Sequence, residues 1–296
     1  QIVARAFSVV LLILVPLQLA RSIGYGENQL RHDLWFFGIY QHLQYVPAVI
    51  VAAFYVTLFA RWEERLARRL HLVLAPLVAY YAASSYSTLA IVLAFGGAAL
   101  LAAIRWREAA ARLCAALVIA TLCGYFYVNR NASPIVQKFG ISPSATEWRL
   151  SQKPDADVPR PVAEALPGPM QVRLYYWGLY ARAIAESSKG ALFGHPRVMD
   201  RNVAPSAHNY YLDFVYNFGV LGFLPLAGLI AYTLLRLWRA RASFWRQPPV
   251  FGLAIGVLFV LALDNMFKVP LRQPYPGIFF FFVWGLLIAR LRLLPR

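Results

Sequence analysis

Apolar and polar positions divide the chain into long apolar runs separated by short polar turns, with one long polar interruption. The apolar runs cover roughly residues 2–20, 35–60, 71–83, on to 104 past a polar break at Ser84–Thr88, then 113–128, 210–237, 250–263 and 277–289. A helix needs about 20 residues to cross ~30 Å of hydrocarbon. In lipid it also satisfies every backbone N–H and C=O internally. A β-barrel would show weakly alternating segments of ~10 residues instead. The pattern therefore predicts an all-α, polytopic membrane protein with about eight transmembrane helices.

The interruption, residues 129–207, is rich in proline: Pro134, Pro143, Pro154, Pro159, Pro161, Pro167 and Pro169. Only residues 171–188 place apolar and aromatic side chains (Val172, Tyr175, Tyr176, Leu179, Ala183) at helical spacing. This gives three parts: membrane helices over 1–128, a loop with one amphipathic helix over 129–208, and membrane helices over 209–296. No repeat of 20–50 residues and no low-complexity tract is present.

Composition agrees with this reading. The chain is 60% hydrophobic and 14% charged, against about 25% charged in soluble domains. The net charge of +16 would otherwise point to nucleic acid, but the basic residues sort by loop. Turns around 61–69, 105–112 and 236–246, with the C-terminal tail, hold 14 of the 29 Lys and Arg, and the opposite short turns hold four. The positive-inside rule makes the first group cytoplasmic and puts the long loop outside. That loop carries ten Lys/Arg against six Asp/Glu, a balance that suits an anionic, lipid-linked ligand. Cys114 and Cys123 share one apolar run, without disulfide or metal spacing. Gln1 opens inside an apolar run, and the expectation is that earlier spans precede it.

Candidate chemistry collects where the loop meets an apolar run, at Ala204-Pro-Ser-Ala-His208-Asn209-Tyr210-Tyr211-Leu212-Asp213. Histidine takes up a proton near neutral pH. Asn209 can orient a neighbour or a sugar hydroxyl, and Tyr210 and Tyr211 suit both a membrane interface and sugar faces. Gly219 and Gly222 allow close helix contact. Taken alone, these residues also fit an interfacial histidine in an aromatic belt. Asp213, one turn on, either orients the site or caps the helix start. His195 reads as a second base or an exposed loop residue. His42 with Gln41 and Gln44 reads as the lining of a polar cavity, and Arg197 and Arg201 as partners of Asp200. Asp264, Asn265, Lys268 and Arg272 form a polar outer loop.

The block His208-Asn209-x-Tyr211-Leu212, followed by Gly219-x-x-Gly222 after a long external loop, resembles the O-antigen ligase and O-antigen polymerase superfamily. Arg173-Leu-Tyr-Tyr-Trp177 resembles that family's Arg-x-x-x-Trp helix, and Gly194 resembles the glycine between that helix and the histidine. The resemblance runs from about Trp35 to the end of the chain, and the family has about twelve spans. It implies a glycosyltransferase of the bacterial inner membrane with its active site facing the periplasm. The donor would be an undecaprenyl-diphosphate-linked glycan and the acceptor a lipid A–core or another glycan. The implied activities are ligase, polymerase or protein O-oligosaccharyltransferase, without nucleotide sugar, cofactor or metal, and without nucleic acid as a partner. It also implies His208 as general base and Arg173 as a cation for the diphosphate, with Asn209, Tyr211, Arg197, Arg201 and Arg272 binding substrate.

The family has a Ser-Arg pair where this chain has Ser84-Ser85-Tyr86-Ser87. A second phosphate-binding cation is either missing or supplied elsewhere, with Arg31, Arg197, Arg201, Lys268 and Arg272 as candidates. The usual Gly-x-Gly is replaced by Gly194-His195-Pro196. Both departures weigh towards a polymerase or a divergent member. The rival class is a lipid or solute transporter, which would favour inverted repeats and broken helices.

Overall fold

A computed structural model describes residues 2–25, 45–59, 65–85, 87–104, 108–129, 168–197, 199, 206–244 and 247–294. Among these residues the fold is all-α and contains no strand. The helices are α1 (Ile2–Tyr25), α2 (Val46–Phe59), α3 (Arg65–Ser84), α4 (Thr88–Ile104), α5 (Ala109–Val128), α6 (Gly168–Ala185), α7 (Ser188–Phe193), α8 (Tyr210–Arg239), α9 (Pro248–Phe259) and α10 (Pro274–Arg292). A short turn, Arg241–Phe244, precedes α9. A π-helical stretch, Val260–Asp264, and a helical turn, Asn265–Phe267, follow it. Among the described residues, five stretches are long and apolar enough to cross a membrane: Ile2–Ala20, Ala109–Val128, Tyr210–Arg239, Val250–Phe267 and Pro274–Arg292. Two shorter helices, Val46–Leu58 and Thr88–Ile104, are also apolar.

The expected helix over 171–188 is α6, which starts three residues earlier and ends at Ala185, and a second short helix, α7, follows it. They part at Ser187, whose Oγ accepts from the Gly190 N–H at 3.0 Å. That N-cap starts a new helix at the point where the expected one ends. The seventh apolar run, expected to end near 263, continues helically through the π-helical stretch to Phe267. At the expected polar break, Ser84 Oγ and Ser85 Oγ donate to the carbonyls of Tyr81 (3.2 Å) and Ala82 (2.8 Å). These serines thus close the end of α3. The expectations for residues 26–44 and 130–167, including Arg31, Gln41, His42 and Gln44, lie outside the described residues.

The chain forms two compact units. The first comprises Gln1–Arg130, Arg236–Phe259 and Ile278–Arg296. Its interior is made of small and aromatic side chains that let helices approach closely. The Tyr55 ring covers Gly97, and its hydroxyl donates to the Ala94 carbonyl. Tyr80 meets Tyr125 edge-on, and Phe7 packs against Phe279. Arg236 Nη2 donates to the Leu291 carbonyl at 2.7 Å, near the end of α10, where carbonyls lack helical partners.

The second unit comprises Asn131–Leu235 and Val260–Gly277. Its core holds Tyr180, Ala207 and Tyr216, flanked by Tyr176, Leu179, Ala183, Ile184, Met199 and Leu212. Helix α8 is not straight. At Gly219 the backbone has φ 71° and ψ 172°, a region open essentially only to glycine. The cause is α7, whose Leu192 carbonyl occupies the space a Gly219 side chain would need. Gly194, at the C-cap of α7, has φ 91° and ψ 159° and lies equally tight against the Asn217 carbonyl. Two glycines therefore dock α7 into the bend of α8. The expectation for Gly219 was close helix contact, and the contact is made by a bend rather than a smooth helix face.

Candidate functional site

The second unit contains both His208 and Arg173, and the site can be followed outwards from the start of α8. Asn209 is the residue before the helix. Its Oδ1 accepts from the N–H groups of Tyr211 (3.0 Å) and Leu212 (3.2 Å), which is the bonding of an N-cap. Asn209 Nδ2 lies 4.0 Å from the Met266 sulfur. His208, the residue before this cap, has φ 48°, the only positive φ at a non-glycine residue among the described residues. His208 donates its own N–H to Ser206 Oγ at 3.2 Å. The Tyr176 ring stacks on its imidazole, with centroids 5.7 Å apart and 19° between planes.

Tyr176 belongs to α6, one helical turn after Arg173. Arg173 donates its Nε–H to the Phe267 carbonyl at 3.3 Å. Burial holds its guanidinium below the ordinary arginine pKa, because removal from water disfavours the charged form. Trp177, the next motif residue, packs its ring against Phe267 at 6.1 Å, and its Nε1 is buried without a hydrogen-bond partner. A buried indole N–H normally finds an acceptor, so this donor is an exception to the usual pairing.

Asp213 and Arg272 form the other charged element. Arg272 Nη1 donates to both Asp213 carboxylate oxygens, at 2.9 and 2.8 Å. The Asp213 side chain is 4% exposed and that of Arg272 is 42% exposed, so the pair places a carboxylate inside and a guanidinium half outside. Tyr180 senses both. Burial raises its hydroxyl pKa, the Asp213 carboxylate raises it further, and Arg272 opposes the shift.

The segment Val260–Gly277 takes bonds from several sides. Tyr211 donates its hydroxyl to the Leu261 carbonyl, Arg173 bonds the Phe267 carbonyl, and Asp213 holds Arg272. Within it, Asp264 and Asn265 are fully buried, with Lys268 Nζ 4.0 Å from Asp264 Oδ1. The π-helical geometry at Val260–Asp264 is rare and recurs at functional sites.

Of the residues read as functional from the sequence, His208, Arg173, Asn209, Tyr211 and Arg272 thus share this unit. The polar atoms whose bonds can be traced are partly committed to structure: Asn209 to the cap, Tyr211 to Leu261 and Arg272 to Asp213. Arg197 is exposed, and its carbonyl accepts from the Tyr216 hydroxyl at 3.1 Å. Arg201 lies outside the described residues. His195 stacks on Tyr216 at 4.5 Å with 8° between planes, and its Nε2 is buried without a hydrogen-bond partner. Tyr176 and the Asp213–Arg272 pairing escape sequence reading. A buried acid one turn into an apolar run does signal that some cation must reach it. Among the described residues, no group of three or more metal-ligating side chains is present. Compared with protein-family models, curated proteins and solved structures, the chain finds no match.

Proposed function

We propose that this chain is a membrane glycosyltransferase of the O-antigen ligase and polymerase type, with His208 as general base and Arg173 as the cation that receives the leaving diphosphate. The observation that supports this most is that α6 carries Arg173 and, one turn later, the ring that stacks on His208. The motif helix and the motif histidine belong to one packed unit rather than to separate parts of the chain.

In this reading an acceptor hydroxyl attacks the anomeric carbon of an undecaprenyl-diphosphate-linked glycan. Its proton passes to His208, the anomeric C–O bond to the diphosphate breaks, and the bonding pair leaves on the diphosphate. Attack opposite the leaving group inverts the anomeric centre. A placed general base contributes typically 10²–10⁴-fold, and fixed cations at the developing phosphate charge add several kcal/mol. The planar guanidinium of Arg173 matches phosphate geometry, and its desolvation strengthens attraction to an anion. Asn209, Tyr211, Arg197, Arg201 and Arg272 form the substrate-binding surround in the same proposal. Eight spans, a long periplasmic loop and an inner-membrane location with the site facing the periplasm complete it.

The test is transfer by the reconstituted full chain from an undecaprenyl-diphosphate glycan to a lipid A–core or glycan acceptor. His208→Ala and Arg173→Ala should each abolish transfer while expression and membrane insertion stay intact. Full activity in either variant refutes that residue's role. The lipopolysaccharide banding of a deletion strain separates the subtypes: loss of all capped chains means ligase, and a single repeat unit on core means polymerase.

A second reading, a lipid or solute transporter, draws on the buried Asp264, Asn265 and Lys268 in an apolar stretch with π-helical geometry. Ionisable groups inside a membrane span commonly mark pathways for ions or substrates. Uptake by proteoliposomes without any glycan transfer would favour it.

A further inference from the structure

The Tyr176 ring has two sets of neighbours. It packs against the Tyr180–Ala207–Tyr216 core, and it lies 5.7 Å from the His208 ring, nearly parallel to it. The His208 main chain has little freedom of its own. Its φ is positive, its N–H is bonded to Ser206 Oγ, and the next residue caps α8. The imidazole therefore meets the aromatic face at a set distance and angle.

That distance matters chemically. The face of an aromatic ring carries partial negative charge and attracts a cation within about 6 Å of its centroid. A neutral imidazole gains little from this, and an imidazolium gains much more. An interaction that strengthens only as the reaction proceeds raises kcat, whereas equal stabilisation of ground and transition state does not. Tyr176 also sits one turn from Arg173 on α6, so a single helix sets the ring beneath the base and the guanidinium bonded at Phe267.

We infer that Tyr176 is a positioning residue that orients the His208 ring and stabilises its protonated form during transfer, an inference that rests on reading His208 as the general base. Removing the aromatic face should lower kcat by about 2- to 30-fold, the span of cation–aromatic attraction from exposed to desolvated sites. KM for the lipid-linked donor should stay unchanged, because the stabilisation arises only when the histidine is protonated.

The experiment measures kcat and KM of the reconstituted full chain carrying Tyr176→Phe, Tyr176→Trp or Tyr176→Leu, with rates normalised to monodisperse protein. Phe should retain most of the rate, Trp should match or exceed it because indole is the best cation platform, and Leu should lose kcat alone. A pure packing role predicts the reverse order, with Leu tolerated and Trp worst through overpacking; that order overturns the inference. His208→Ala, run alongside, separates the two levels. If it is inactive while the Leu variant is fully active, the role of Tyr176 alone falls. If His208→Ala transfers at the full rate, the general-base reading and this inference fall together.

Discussion

Replacing Gly219 by alanine tests the docking of α7 into α8, on which the placement of the His195 loop depends. Built onto the Gly219 backbone, a Cβ would lie 2.2 Å from the Leu192 carbonyl oxygen, 2.4 Å from its carbon and 2.5 Å from the Phe193 nitrogen. Carbon and oxygen in ordinary contact sit more than 3 Å apart, so the α7 backbone must retreat by roughly 1 Å or more. Two costs combine. Holding a non-glycine residue at φ 71° and ψ 172° costs about 1–3 kcal/mol, and inserting a methyl into a filled contact costs about 1–3 kcal/mol more. The sum, on the order of 2–6 kcal/mol, is a large share of the 5–15 kcal/mol that stabilises a typical folded domain.

Gly194→Ala should behave alike, since its Cβ would lie 2.3 Å from the Asn217 carbonyl oxygen. The assay is thermal melting of detergent-solubilised protein, read as loss of the monodisperse peak at a fixed heating time, because unfolding of such proteins is commonly irreversible. Each variant should melt lower by on the order of 10 °C. Gly228→Ala, in the same helix with nothing within 4 Å of the added Cβ, should melt unchanged or slightly higher because alanine favours helix by about 1 kcal/mol. The double variant Gly194→Ala/Gly219→Ala should lose less than the two single losses together, since both relieve the same contact. Equal melting of the Gly219 and Gly228 variants would refute the interlock.

Arg272→Ala strands the buried Asp213 carboxylate. Stranding a fully buried charge costs about 3–5 kcal/mol, and the exposure of Arg272 reduces the expected loss to about 1–3 kcal/mol. Adding Asp213→Asn should recover part of it in melts, and strict additivity would sink the pairing. Asn209→Ala should lose about 0.5–2 kcal/mol through the missing cap, while Asn209→Ser should keep stability and lose transfer if its amide contacts substrate as proposed; a stable and fully active serine variant would leave Asn209 a cap alone. Lys268→Met should destabilise strongly by leaving Asp264 without its cation, whereas Asp264→Leu combined with Lys268→Met should melt near the parent. If the combination is as unstable as the single variant, the ion pair is not what holds this segment.

The helices were largely legible because bilayer thickness imposes a length on apolar runs, and that constraint acts on the sequence directly. What remained hidden came from contacts between distant segments. Gly219 is legible as a small residue, but the reason it must be glycine is the Leu192 carbonyl, 27 positions earlier and on another helix. The start of α7 had a local signal in Ser187, but six residues are too few to show a periodic pattern of their own.

The candidate site divides in the same way. His208, Asn209 and Arg173 stand out by residue type and spacing, whereas Tyr176 looks like one more aromatic on a helix face until His208 is seen against it. Asp213 and Arg272 lie 59 positions apart, and each has an ordinary interfacial reading alone. Their pairing has a consequence for the proposed chemistry. An arginine already holding a buried carboxylate is a weaker recruit for a diphosphate, because the anion must compete with that carboxylate. Within this unit Arg272 is therefore better suited to fixing the segment whose Phe267 carbonyl accepts from Arg173.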